Sequence, residues 1–144
     1  IESDSAALHS LVAEMVAAAP AIRCLRDPTR GGLATTPNEL ARQSNVGMSI
    51  QEISIPIKAE VKGACELLGL DPLYIANEGK LVCIVPAKDA EPLLAVMQKH
   101  PHGQNATIIG NVCEDAQQMV VMETAFGGHR VADWLAGEQL PRIC

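Results

Sequence analysis

The chain has 144 residues, 48% of them hydrophobic, so it can bury one core, and its length predicts a single domain. Its net charge of −6 and its one Phe, one Tyr and one Trp argue against a nucleic-acid partner. No apolar run reaches the roughly 20 residues of a membrane span, and the start lacks a signal peptide's basic residues, which predicts a cytoplasmic protein with no membrane partner.

The first predicted element is an amphipathic helix over residues 5–19, where apolar residues recur at helical spacing and Ser3 or Ser5 can cap the start. The sequence enters this helix without an initiator methionine, so we expect the chain to be part of a longer protein. Residues 21–25 are predicted as a short strand that leads into the loop Asp27–Gly32.

Residues 33–44 have a helical pattern that contains Pro37. Proline is tolerated only near the first turn of a helix, so we expect this helix to begin later or to bend. Two further helices are predicted over 59–68, where Gly69 closes the helix, and over 90–100.

The remaining periodic segments are predicted as strands, and a glycine pair makes a turn near the end. They are 46–53, 80–85, 106–112 and 119–124, with the turn Gly127-Gly128 before residues 130–134. The density of Leu, Val and Ile in 80–85 predicts a central strand. This order of elements predicts an α+β fold, in which a mixed β-sheet of ferredoxin-like character is packed with helices.

Residues 135–144 are predicted to form an extended, mobile tail. Gly137 permits a wide range of φ, Pro141 removes an N–H donor, and the apolar periodicity has ended before them. The expected division is therefore a domain over residues 1–134 and a tail that ends in Cys144. Cys144 is either a working thiol or simply the last residue.

The loop Asp27-Pro28-Thr29-Arg30-Gly31-Gly32 combines a carboxylate, a hydroxyl, a guanidinium and two glycines ahead of a helix. The backbone N–H groups of Gly31 and Gly32 and the positive end of that helix suit an oxyanion, and Asp27 suits Mg²⁺. The alternative is an Asp-Pro turn in which the threonine caps the helix.

Glu78 lies between Asn77 and Gly79 and is followed by Lys80. A lone glutamate in a loop is either an exposed carboxylate or, where it is desolvated, a base that can remove a proton. The residues alone leave both interpretations open.

The other cysteines and the histidine pair are interpreted as structural. Cys24, Cys65, Cys83 and Cys113 lie on apolar periods and are predicted to be small core residues rather than ligands. The chain has no C-x-x-C pair, which argues against a disulfide framework and a zinc knuckle. His100-Pro101-His102 has no third ligand nearby, which favours a solvated turn over a metal site.

Three stretches of the sequence carry a resemblance to a known family. They are Arg26 to Leu33, Ala76 to Leu81 and the C-terminal run Gly-Glu-Gln-Leu-Pro-Arg-Ile-Cys that ends at Cys144. Together they resemble the HypE family of hydrogenase maturation factors, carbamoyl dehydratases that make the cyanide ligand of nickel-iron hydrogenases. The match runs from about Arg23 to the end of the chain. It implies the fold of the C-terminal domain of the aminoimidazole-ribonucleotide-synthetase superfamily.

The resemblance also implies a mechanism. Cys144 would receive a carbamoyl group from the carbamoyltransferase HypF, ATP would activate the carboxamide oxygen, and Glu78 would act as the base that leaves a thiocyanate. The cyano carbon would then pass to iron on the HypC–HypD complex. Nucleotide and Mg²⁺ contacts would come from Asp27, Thr29, Arg30, Gly31 and Gly32.

Most ATP contacts of the family belong to an N-terminal domain that this chain lacks, so the isolated chain is expected to be inactive and the full-length form a homodimer. Two other functions stay open. One is a docking or dimerisation module in which Cys144 is incidental. The other is an ATP-dependent synthetase of the same superfamily that acts on a small molecule.

Overall fold

The computed structural model describes residues 3–132. The predicted tail, including Gly137, Pro141 and Cys144, therefore lies outside the described residues. The chain divides into two compact units. We call residues 3–27 and 77–108 the ribbon unit, and residues 28–76 and 109–132 the sheet unit, and each is described by itself.

The ribbon unit packs two helices and a two-stranded ribbon around an aliphatic core. Its elements are α1 (His9–Ala18), β1 (Cys24–Arg26), β3 (Val82–Ile84) and α4 (Ala87–Met97). β1 and β3 pair antiparallel, with Leu25 opposite Cys83. Leu11, Met15, Ala19 and Leu93 form the buried centre, and the half-buried side chains around β3 pack against it.

The sheet unit contains a four-stranded mixed sheet and two helices. Its elements are α2 (Gly32–Ser44), β2 (Gly47–Gln51), α3 (Ala59–Leu68), β4 (Gly110–Cys113), β5 (Val120–Glu123) and β6 (His129–Val131), with 3₁₀ turns at Glu52–Ser54 and Pro72–Tyr74. The strand order is β4-β2-β5-β6. β2 runs parallel to β5 and antiparallel to β4, and β5 and β6 are antiparallel. One face of β2 and β5 is buried through Met48, Ile50, Val120 and Met122.

The predicted α+β class and the mixed sheet are confirmed, and α3 has the predicted bounds 59–68. Gly69 ends α3 in the left-handed region at φ 66°, as a helix-closing glycine should. α1 begins at His9 rather than near Ser5, and none of the described side chains caps its start. The hydroxyl of Ser3 instead accepts the backbone N–H of Ser5 at 3.2 Å, so this serine shapes the segment before the helix.

The expectation that Pro37 delays the start of its helix is wrong, since α2 runs from Gly32 to Ser44 with Pro37 inside it. Proline has no N–H for the usual bond to the carbonyl four residues back. Pro37 is fully buried, and the hydroxyl of Thr36 donates to the carbonyl of Gly32 at 3.2 Å. Burial of the ring and this side-chain bond accompany a helix that continues through the proline.

The prediction that residues 80–85 form a central strand is also wrong. β3 covers only Val82–Ile84 and belongs to the two-stranded ribbon with β1. The apolar run instead serves the helical core, because Leu81, Cys83 and Val85 pack against it. Within residues 3–132, none of the helices has the length and apolar character needed to cross a bilayer.

Candidate functional site

Two consecutive glycines in the left-handed region lead into α2. Gly31 has φ 72° and Gly32 has φ 62°, values that side chains with a Cβ rarely adopt. Gly31 is the N-cap of α2, and no side chain of residues 3–132 caps this end. The interpretation of a helix-capping threonine is therefore wrong, and the first-turn N–H groups are left for another acceptor.

Gly32 also lies against the 3₁₀ turn Pro72–Tyr74. A Cβ at Gly32 would stand 2.5 Å from the carbonyl oxygens of both Leu73 and Ile75, so only glycine fits there. A Cβ at Gly31 would overlap the side chain of Thr35. The hydroxyl of Thr35 is buried without a hydrogen-bond partner within the part of the chain that the structure describes. Among residues 3–132, the start of α2 thus combines a helix end that no side chain caps with one unpaired hydroxyl.

The polar side chains that precede Gly31 and Gly32 in the loop are accessible. Asp27 and Arg30 are exposed and Thr29 is half-buried, while Pro28 between them is buried. Among residues 3–132 no group of three or more His, Cys, Asp or Glu side chains is arranged to hold a metal ion. A single carboxylate fits the usual Mg²⁺ site of nucleotide enzymes, in which one or two carboxylates and the phosphates share the ion.

Glu78 lies exposed in the loop 77–80 of the ribbon unit, so the described residues do not desolvate it. Its backbone N–H donates to Oδ2 of Asp4 at 3.0 Å, and the ammonium of Lys80 lies 3.3 Å from the same oxygen. Gly79 has φ 58°, and a Cβ there would stand 2.7 Å from the amide nitrogen of Ala6. The loop is thus fixed against the segment that precedes α1.

The strand register brings two of the predicted site residues to one end of the ribbon. β1 and β3 are antiparallel, and Arg26 pairs with Val82. Asp27 follows directly after this pair, and the loop 77–80 precedes it, so both leave the ladder at the same end. This proximity was not evident from the sequence, since 50 positions separate Asp27 and Asn77.

Asp4 is a residue that the sequence reasoning missed. Its partial burial would raise the pKa of its carboxyl, but the Glu78 N–H and the Lys80 ammonium outweigh that effect and lower the pKa. No local pattern indicates this role, because Asp4 and Glu78 lie 74 positions apart. Residues 76–81 form a recognisable sequence motif, whereas the segment that contains Asp4 does not.

The prediction of four core cysteines is correct for Cys65, which is buried, while Cys24 and Cys83 are half-buried and Cys113 is exposed. Cys113 lies on β4, an edge strand of its sheet, which explains its exposure. Burial raises the pKa of the Cys83 thiol, and the nearby Cys24 adds to the effect. A raised pKa keeps Cys83 protonated and unreactive.

The ring of His100 is held by hydrogen bonds, as a turn residue would be. Nδ1 accepts the backbone N–H of His102 at 3.1 Å, and Nε2 lies 3.1 Å from the hydroxyl of Ser10. Since Nδ1 accepts, the proton of a neutral ring sits on Nε2 and is donated to Ser10. Both ring nitrogens are therefore engaged within the ribbon unit.

The sequence model of the family of AIR synthase related proteins, C-terminal domain, matches residues 1–123. This chain belongs to that family. Over all of its length the chain is 66% identical to the hydrogenase expression/formation protein HupE of Azotobacter chroococcum and 65% identical to the carbamoyl dehydratase HypE of Azotobacter vinelandii. It spans 42% of the length of each of these relatives.

Solved structures in this family have the same fold. A crystal structure of the hydrogenase maturation protein HypE matches 99% of the chain with a TM-score of 0.92 at 51% identity, and the match covers 46% of that structure. A HypE structure in complex with ATP matches 99% of the chain with a TM-score of 0.91 at 51% identity, over 44% of its own length. A HypE–HypF complex matches 93% with a TM-score of 0.88 at 42% identity, over 43% of its own length. The resemblance to HypE predicted from three short motifs is confirmed.

Proposed function

We propose that this chain is the C-terminal part of an ATP-dependent carbamoyl dehydratase of hydrogenase maturation. The observation that carries the proposal is the similarity to a protein named carbamoyl dehydratase HypE, at 65% identity over every residue of this chain. The reaction converts a carbamoylated C-terminal cysteine, Cys144, into a thiocyanate that supplies the cyanide ligand of a nickel-iron hydrogenase. The relatives are longer than this chain, so the whole protein performs the reaction.

The chemistry requires a leaving group and a base. A thiocarbamate oxygen leaves poorly, whereas phosphate leaves well, so transfer of the terminal phosphoryl group of ATP to the carboxamide oxygen makes the dehydration possible. The N–H protons are then removed, the C–O bond breaks to release phosphate, and a C≡N bond remains on the sulfur of Cys144. The products are the thiocyanate, ADP and inorganic phosphate.

Glu78 is the residue that we assign as the base. Its side chain is exposed, which leaves it accessible to a substrate thiocarbamate. Its backbone is fixed by Asp4 and by the close contact at Gly79, so the carboxylate starts from a defined position. A bound substrate would exclude water from the carboxylate and strengthen it as a base.

The entry to α2 is the part of this chain that we assign to the nucleotide. The first-turn N–H groups of α2, which no side chain within residues 3–132 caps, the positive helix end and the Thr35 hydroxyl, unpaired in that same part of the chain, suit phosphate oxygens. Thr29 and Arg30 supply a further hydroxyl and a guanidinium, and Asp27 would hold Mg²⁺, which offsets phosphate charge when it is bound. The ATP complex of a similar HypE supports a nucleotide substrate. Further contacts would come from the part of the longer protein that lies outside this chain.

The partners follow from the same assignment. A similar HypE forms a complex with HypF, which supports HypF as the source of the carbamoyl group. The cyano group would pass to iron on the HypC–HypD complex, and the full-length protein would act as a homodimer. We place the reaction in the cytoplasm, in keeping with the four free cysteines among residues 3–132.

The test uses the full-length protein that contains this chain, incubated with HypF, carbamoyl phosphate and ATP. Mass spectrometry of the C-terminal peptide should show first a carbamoyl and then a cyano group on Cys144. If Cys144 stays unmodified while a tail-deleted protein still consumes ATP with a small-molecule substrate, the synthetase alternative replaces this proposal.

A further inference from the structure

The segment 3–6 of the ribbon unit lies directly against the loop that carries Glu78. One oxygen of Asp4 accepts the backbone N–H of Glu78 at 3.0 Å and contacts the Lys80 ammonium at 3.3 Å. At Gly79 the two backbones are so close that a Cβ would stand 2.7 Å from the nitrogen of Ala6 and closer still to the carbonyl oxygen of Asp4. Two chain segments that are far apart in sequence therefore share one tight contact.

Both sides of this contact are anchored in one core. Leu8, two residues beyond Ala6, packs against the cluster around Leu11 and Met15. Leu81, directly after Lys80, packs against the same cluster. Because Leu8 and Leu81 pack against the same core, the core positions both segments and so brings the Asp4 carboxylate to the Glu78 backbone.

We propose that Asp4 is a positioning residue for Glu78, which it serves by fixing the Glu78 peptide and by holding the Lys80 ammonium away from the Glu78 carboxylate. The inference rests on the proposed role of Glu78 as the base. Asp4 itself touches neither substrate nor nucleotide in this scheme. Its effect passes through the loop 77–80.

The charge of Asp4 is the important part of this role. Lys80 is two residues from Glu78, and an ammonium released from Asp4 is free to approach that carboxylate. A carboxylate paired with an ammonium is a weaker base, because the opposite charge favours its ionised form. By neutralising Lys80, Asp4 leaves Glu78 free to accept a proton.

The contact is too exposed to be explained by folding stability alone. The side chains of Lys80 and Asp4 are 51% and 42% exposed, and ion pairs at such exposure contribute little to stability. Replacing Asp4 by asparagine keeps an oxygen that can accept the Glu78 N–H and removes only the charge. The substitution therefore separates the electrostatic role from the shape of the loop.

The experiment compares Asp4→Asn with the wild type in the full-length protein loaded by HypF. Asp115→Asn is the matched control, because the Asp115 carboxylate likewise accepts backbone N–H groups, from Gln117 and Met119, but it lies in the sheet unit. We expect Asp4→Asn to slow thiocyanate formation about 10-fold while the rate of Cys144 carbamoylation and the KM for ATP stay unchanged. The control should match the wild type in all three measurements.

A second substitution tests whether the loss of the Asp4 charge acts through the Lys80 ammonium. In the Asp4→Asn background, Lys80→Met removes the released ammonium and should restore the dehydration rate to within about 2-fold of the wild type. A normal rate in Asp4→Asn would overturn the inference, and so would a double variant that stays as slow as Asp4→Asn. A wild-type protein that forms no thiocyanate would instead refute the proposed function itself.

Discussion

The contact between Gly32 and the 3₁₀ turn makes a quantitative prediction for the substitution Gly32→Ala. The added Cβ would meet the carbonyl oxygens of Leu73 and Ile75 at 2.5 Å, which are backbone atoms that cannot rotate away. The left-handed φ of 62° alone costs a residue with a Cβ about 1 to 2 kcal/mol. Relief of the overlap by shifting backbone costs about 1 to 3 kcal/mol more.

The free energy of unfolding should therefore fall by about 2 to 5 kcal/mol in Gly32→Ala. Gly69→Ala is the control, since Gly69 has φ 66° but a Cβ there would meet no atom of the described residues within 4 Å. It should lose only the backbone part, about 1 to 2 kcal/mol. The difference between the two variants isolates the contact with the 3₁₀ turn.

Urea denaturation of the chain, followed by circular dichroism, measures both values if the slopes with denaturant agree. Equal losses in Gly32→Ala and Gly69→Ala would refute the close approach at Gly32. A larger decrease in the free energy of unfolding in Gly32→Ala than in Gly69→Ala would show that the 3₁₀ turn fixes the start of α2, as the proposed phosphate site requires.

The other predictions concern side chains at or near the site. Asp27→Asn should weaken ATP binding in the full-length protein with little change in melting temperature, measured by calorimetry; the reverse pattern would make Asp27 structural. Because the folded pKa of Asp4 is lowered from 3.8, its hold on the Glu78 N–H should persist at about pH 4 and disappear as the pH falls through the folded pKa. Hydrogen exchange of the Glu78 amide measures this, and protection lost already near pH 5 would contradict it. A bulky thiol reagent should modify exposed Cys113 much faster than buried Cys65, and equal rates would contradict their placement.

The sequence predicted helices well where local chemistry decides the structure. The bounds of α3 follow from its pattern and from Gly69, which the structure places in the left-handed region. The helical pattern from residue 33 lies one residue from the observed start of α2, whereas the later start expected from Pro37 is wrong. Whether a buried position tolerates proline depends on its neighbours in three dimensions.

The pairing of the strands could not be predicted from the sequence. An apolar run reports that a segment is buried, and it does not report which segment covers it. The apolar run around Val82 is covered by helices. The segment predicted as a central strand is therefore one strand of the two-stranded ribbon. Cys113 was misplaced for the same reason, because exposure on β4 depends on the order of strands in the sheet.

The candidate site shows the same division. The motifs that contain Asp27 and Glu78 were found from residue types and from a resemblance, but their arrival at one end of the ribbon depends on the pairing of Arg26 with Val82. Asp4 belongs to no recognisable motif. It lies 74 positions from Glu78 in the sequence, so their contact exists only in the folded chain. Supporting residues of this kind become visible only in the structure.

In the proposed mechanism, Glu78 removes the proton whose loss turns a carbamoylated Cys144 into a thiocyanate. The most direct measurement is mass spectrometry of the C-terminal peptide in full-length Glu78→Gln, after loading by HypF and addition of ATP. Glutamine keeps the shape of the side chain and cannot act as the base, so the carbamoyl form should accumulate and no cyano form should appear. Cyano-modified Cys144 at the wild-type rate in Glu78→Gln would contradict this mechanism.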